Sequence, residues 1–160
     1  MEKKLSEEEE KKIKIMQALS FFKPFTGEEL VLILATSRWL KCSAGEPVVR
    51  EGDTECSFYI ILKGSVEVQK KTGVAHLKKT LGLLSTGQCF GEMSLVTGET
   101  RNADVIACTE TYVLKIDAAV LNKDTDSFKM RSLQFKFYKI FAEILAKRLN
   151  ALDREFVKLY

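Results

Sequence analysis

Between residues 38 and 115 the chain never runs far without a turn residue, and this limits its fold more than any other feature. Gly45, Gly52-Asp53, Lys63-Gly64, Thr72-Gly73, Thr86-Gly87 and Gly98 divide it into short segments rich in apolar residues. Glycine and aspartate mark turns because they reach backbone conformations, or make local hydrogen bonds, that other residues do not. The segments between them predict about eight strands, at 38–42, 47–50, 57–63, 65–70, 76–84, 88–90, 103–108 and 111–117. Strands this short and this closely spaced bury their apolar faces in a sandwich or a barrel. Gly45, Gly52 and Gly64 are expected where a tight turn needs positive φ. Lys70-Lys71 and Lys78-Lys79 flank the Thr72-Gly73 hairpin and read as a solvated tip rather than a contact patch.

Helical signals flank this region. Ser6-Glu7-Glu8-Glu9 and Thr26-Gly27-Glu28-Glu29 are capping boxes. They predict a first helix over 7–19 and a second running to Leu34 or Ala35. Phe21-Phe22-Lys23-Pro24-Phe25 separates the two, because proline disfavours helix at the residue before it. Asp117 is placed to cap a further helical segment, and the polar run 122–127 reads as a hinge. A long helix free of glycine and proline is predicted over 127–157. Leu133, Phe137, Ile140 and Ile144, then Leu145, Leu149, Leu152 and Phe156, keep to steps of three and four. The first group can pack on the strands. The second approaches a coiled-coil seam and needs a partner, either a second copy in a homodimer or the first helix folded back on it.

A chain of 160 residues with 46% hydrophobic and 29% charged residues suits one domain. A net charge of +3, with both signs spread along the chain, gives no argument for nucleic acid. The longest apolar run, 30–35, is too short to span a bilayer. The N-terminus has no apolar stretch of a signal peptide, so a cytoplasmic protein or cytoplasmic portion is expected. Cys42, Cys56, Cys89 and Cys108 have no zinc-site spacing and only His76 to join them, so no metal site is expected. They read as reduced thiols, with Cys89 the position for a redox-sensor alternative. The sequence holds no catalytic Cys–His arrangement and no nucleophile elbow, and an enzyme is not expected.

The stretch 90–105 carries the chemistry. Gly91 lets another group come close to the backbone. Residues 92–96 can form one helical turn, whose opening N–H groups carry partial positive charge and suit a phosphate. Arg101, nine positions after Glu92 and beyond a turn at Gly98, can return a planar fork of donors to phosphate oxygens. Glu92 would repel a phosphate and is better matched to a nearby hydroxyl. A plain surface ion pair of Glu92 with Arg101 is the alternative.

Phe90-Gly91-Glu92-Met93-Ser94-Leu95, followed by Arg101-Asn102-Ala103-Asp104-Val105, resembles the phosphate-binding cassette of cyclic-nucleotide-binding domains. Members of that family include protein kinase A regulatory subunits and the catabolite activator protein. An upstream signature fits as well, Gly45-Glu46-Pro47-Val48-Val49-Arg50-Glu51-Gly52-Asp53 and then 58–68. The resemblance covers 21–122. It implies a mainly β fold with flanking helices, a double-stranded β-helix or jelly roll with N-terminal helices and a long C-terminal helix. It also implies a single domain over 1–160. Residues 1–37 would form the N-terminal helices, 38–117 the jelly roll with its cassette at 90–105, and 118–160 a hinge and a lid or dimerisation helix.

The ligand-binding residues implied are Gly91, Glu92, Met93, Ser94, Arg101, Asn102 and Ala103. Arg101 would bind the exocyclic oxygens of a cyclic phosphate, and Glu92 would accept from the ribose 2′-hydroxyl. Backbone N–H groups near Met93, Ser94 and Asn102 would complete the phosphate shell. The base-facing position Asn102 leaves cyclic AMP ahead of cyclic GMP. Phe135, Phe137, Tyr138 and Phe141 are the residues that can cap the base from the long helix. Asp104 departs from the family's Ser or Thr. The expected function is a sensor that re-packs its C-terminal helix on binding. The alternatives are an orphan domain that dimerises without ligand, supported by Asp104, and the sensor part of a transcription regulator lacking its helix-turn-helix.

Overall fold

The computed structural model describes residues 4–159. Its chain divides into two compact units, Met1–Val120 and Leu121–Tyr160.

The first unit opens with α1 (Glu7–Gln17). Ser6 Oγ accepts from the Glu9 N–H at 3.2 Å, and the Glu9 carboxylate accepts from the Ser6 N–H at 2.8 Å. Both arms of the predicted capping box are thus made. The helix stops before Leu19, whose backbone is already extended, and one 3₁₀ turn follows over Ser20–Phe22. Helix α2 (Gly27–Thr36) starts from Thr26 with the same reciprocal pair, again at 3.2 and 2.8 Å.

Among the described residues eight antiparallel strands follow, in two four-stranded sheets. They are β1 (Ser37–Cys42), β2 (Pro47–Val49), β3 (Phe58–Lys63), β4 (Ser65–Lys71), β5 (Lys78–Ser85), β6 (Cys89–Phe90), β7 (Asp104–Ala107) and β8 (Thr111–Ile116). One sheet has the order β1-β8-β3-β6 and the other β2-β7-β4-β5. This is the jelly-roll architecture with helices at both ends of the chain. Among the strands the largest boundary shift from the sequence reading is at β5, expected from residue 76. His76 instead lies in the hairpin loop at φ 63°, and the Thr72 N–H closes that loop on the Leu77 carbonyl at 2.9 Å. Gly45, Gly52 and Gly64 do sit at positive φ.

Side chains alternate along β3, and both of its faces are buried. Tyr59 and Ile61 join Val49, Val66, Phe90, Val105, Ala107 and Val113 in the core between the sheets. Phe58 and Ile60 are buried on the opposite face, where the Phe21 ring lies 5.8 Å from that of Phe58. Phe22 and Phe25 of the same run are buried with Phe21.

The chain passes into the second unit through α4 (Ala118–Asn122) and continues as α5 (Phe128–Lys158), one helix of 31 residues. Ser127 caps it by accepting from the Met130 N–H at 3.4 Å. The polar residues before it lie back along its first turns. Arg131 Nε donates to the Thr125 carbonyl at 2.7 Å, Gln134 to the Lys123 carbonyl at 2.9 Å, and the Tyr138 hydroxyl to Asn122. Leu133, Phe137 and Phe141 are buried, whereas Leu149, Leu152 and Phe156 are 58%, 62% and 59% exposed. Among the described residues no helix is long and apolar enough to cross a membrane.

Candidate functional site

Arg101 is held from both sides. Its backbone exchanges two hydrogen bonds with the turn after β2: its N–H donates to the Asp53 carbonyl and its carbonyl accepts from the Gly52 N–H, each at 2.8 Å. The upstream Gly52-Asp53 pair and the cassette arginine, 48 positions apart, are one unit of structure. This clamp turns the arginine side chain inward. Arg101 is only 4% exposed. Nη1 donates to the Gly91 carbonyl at 3.2 Å and Nη2 to the Ser57 carbonyl. The guanidinium lies 5.8 Å from the centre of the Tyr59 ring, which stacks on Phe90 at 4.9 Å. Its Nε–H is buried with no acceptor within the protein. A buried donor left in this way costs free energy, and an anionic acceptor would remove the cost.

Gly91 explains how the guanidinium fits. It sits at φ 90°, immediately before α3 (Glu92–Thr97). A Cβ there would fall 2.6 Å from the Ser57 carbonyl oxygen and 2.8 Å from Arg101 Nη1. The sequence reading gave Gly91 to the close approach of a ligand. The structure gives it first to the close approach of Ser57 and Arg101. Gly98 ends α3 at φ 72°, with its N–H on the Ser94 carbonyl at 2.8 Å. Glu92, 1% exposed, and Ser94 are both buried in this turn. Glu92 and Arg101 are therefore not a surface ion pair. The amides of Met93 and Ser94 belong to the opening turn, whose N–H groups a helix cannot use itself. Met93 is half-exposed, and the Asn102 amide donates to its sulfur at 3.7 Å. Ala103 is buried at the entry to β7.

Asp104 does not add its charge to this group. Val105 beside it belongs to the inner core, so strand alternation sends Asp104 to the outer face of its sheet. There its carboxylate accepts from Lys78 Nζ and from the Glu51 N–H, both at 2.7 Å. Burial pushes the Asp104 carboxyl up, but Lys78 and the Glu51 N–H outweigh this and leave it below the usual range.

Three neighbours were not marked as site residues by the sequence reading. Tyr59 lies under the guanidinium, and burial pushes its phenol up to about 12, so it faces the cation as a neutral ring. Ser57 supplies the carbonyl for Nη2. Glu55 pairs with Lys115. Burial alone would raise the Glu55 carboxyl; bonds from Lys115 and Ser57 and the charge of Arg101 hold it low instead. Ser57 was marked only by its place at the start of a predicted strand and Tyr59 by that strand and the upstream signature, and neither distinguishes a site residue from core.

The double sheet thus carries a glycine-opened turn with a buried arginine against it. The family model for the cyclic nucleotide-binding domain matches residues 39–123, more than half of the chain, and the chain belongs to that family. Among its relatives is the cyclic AMP receptor protein of Thermus thermophilus, 29% identical over 140 residues. That match covers 88% of this chain and 62% of the relative. A cGMP-dependent protein kinase isozyme of Drosophila melanogaster is 35% identical over 105 residues, covering 64% of this chain and 13% of the kinase. The chain thus spans less than two thirds of either relative. The crystal structure of the Thermus thermophilus catabolite activator protein superposes with a TM-score of 0.70 and 28% identity, covering 87% of this chain and 62% of that one. The sensor domain of the transcriptional regulator DNR from Pseudomonas aeruginosa has a TM-score of 0.68 over 96% of this chain and 95% of that domain; at 17% identity it shares the fold.

Proposed function

We propose that this chain is a cyclic-nucleotide-binding regulatory module that takes cyclic AMP, with cyclic GMP the weaker ligand. The observation that carries the reading is the buried guanidinium of Arg101, whose Nε–H has no acceptor beside the opening turn of α3. In this reading Arg101 and the amides near Met93, Ser94 and Asn102 take the cyclic phosphate. Glu92 takes the ribose hydroxyl, and the small residues Gly91 and Ala103 leave room beside them. The phosphate offers Nε–H the acceptor it lacks and draws the guanidinium from the two carbonyls that hold it. The C-terminal helix then re-packs, by as much as the ligand's affinities for the two arrangements differ.

Calorimetric titration with cyclic AMP tests the assignment. Arg101→Ala should weaken binding by about tenfold or more, because a charge-assisted hydrogen bond contributes about 1.5–3 kcal/mol. Equal affinities for the two proteins would overturn it. No binding by the unaltered protein of either cyclic nucleotide would leave the orphan reading.

The same reading includes a homodimer through α5, supported by the exposure of Leu149, Leu152 and Phe156 at successive seam positions of one helix.

A further inference from the structure

We infer that Ser57 is a positioning residue that joins the Arg101 guanidinium to Asp117, the residue just before α4. The inference rests on the proposed site for its ligand-dependent part only. Ser57 is 2% exposed and acts at both ends. Its carbonyl accepts from Arg101 Nη2. Its hydroxyl lies 2.9 Å from Glu55 Oε1 and 3.1 Å from Asp117 Oδ1. A hydroxyl has one proton and so makes one full hydrogen bond at a time to these two carboxylates. Glu55 is in turn tied to Lys115, the register partner of Tyr59, and the Tyr59 ring faces Arg101.

Asp117 has a second attachment. Its carbonyl accepts the Val120 N–H at 3.0 Å and so opens the turn of α4. The path from the guanidinium to that turn therefore runs through one buried residue, with no gap longer than a hydrogen bond. A ligand that draws Nη2 from the Ser57 carbonyl frees Ser57 to move. Its hydroxyl then changes how it divides between Glu55, which Lys115 holds, and Asp117, which leads into α4. Ser57 thus transmits the state of Arg101 while touching no ligand itself.

Two arms test this, using the whole chain. Without ligand, nuclear magnetic resonance follows the Arg101 Nε–H signal in the unaltered protein, in Ser57→Ala and in Asp117→Ala. Asp117 does not touch Arg101, so a merely local role predicts no change in Asp117→Ala. The inference predicts a shifted signal and about tenfold faster solvent exchange in both variants, the effect of loosening one hydrogen bond. With cyclic AMP, hydrogen exchange at residues 118–122 should respond to ligand in the unaltered protein and not in the variants. An unchanged Arg101 signal in Asp117→Ala overturns the inference, whether or not Ser57→Ala folds. Should the unaltered protein bind no cyclic nucleotide, the site assignment falls, while the ligand-free arm still decides the role of Ser57.

Discussion

A guanidinium rarely lies inside a small protein without a carboxylate or phosphate to meet it, because taking it from water is costly. Arg101 is held there by two carbonyls and an aromatic face, and the absence of one side-chain carbon at Gly91 makes the arrangement possible. Gly91→Ala should therefore destabilise the fold by about 1–3 kcal/mol, the usual cost of a strained backbone position, before displacement of Ser57 or Arg101 is added. Urea unfolding measures it, and an unchanged midpoint would show that the turn accommodates the added carbon. At this scale the sequence was legible in part. Gly91, Glu92 and Arg101 stood out because their residue types are unusual together. Ser57 and Tyr59 did not, since a serine before an apolar strand and a tyrosine within it are ordinary, and only the chain's return from Gly52 gives them their roles.

Elements were easier to read than their joints. Both capping boxes form as written, because they depend on residues three apart. Thr26→Ala should lower stability by about 1 kcal/mol, the common effect of removing a helix N-cap, measured as a shift in thermal midpoint. Strand positions followed from turn residues, but the β4–β5 loop was underestimated because Thr72 reaches Leu77 and takes His76 out of the strand. Asp104 shows how far alternation decides a residue's meaning. On the outer face it ties β7 to Lys78 of β5 across β4. Its carboxyl titrates lower in the folded chain than in the unfolded one. Its contribution is therefore complete above the unfolded value near about 4 and fades as the pH falls through the lower folded value. Asp104→Asn should be less stable than the unaltered protein at neutral pH, and the two should converge in acid. Parallel stability curves across that range would contradict the pairing.

For the whole molecule, the density of short strands was enough for a two-sheet fold, and likeness of the cassette to a known family selected which one. Assembly was legible only as an apolar stripe on the C-terminal helix, on which Leu149 and Leu152 are exposed. The proposed homodimer predicts that Leu149→Glu with Leu152→Glu halves the mass seen by sedimentation equilibrium while leaving the strand signal in circular dichroism intact. A monomeric unaltered protein would refute it.

Strand β3 has a further consequence. One row of its side chains fills the space between the sheets, and the other meets Phe21 from the helical lead-in. The two hydrophobic regions thus share one strand, and they should unfold together. A chain shortened to begin at Arg38 would expose Phe58 to water on the strand that follows Ser57, the anchor for Arg101, and it should aggregate instead of folding as a smaller module.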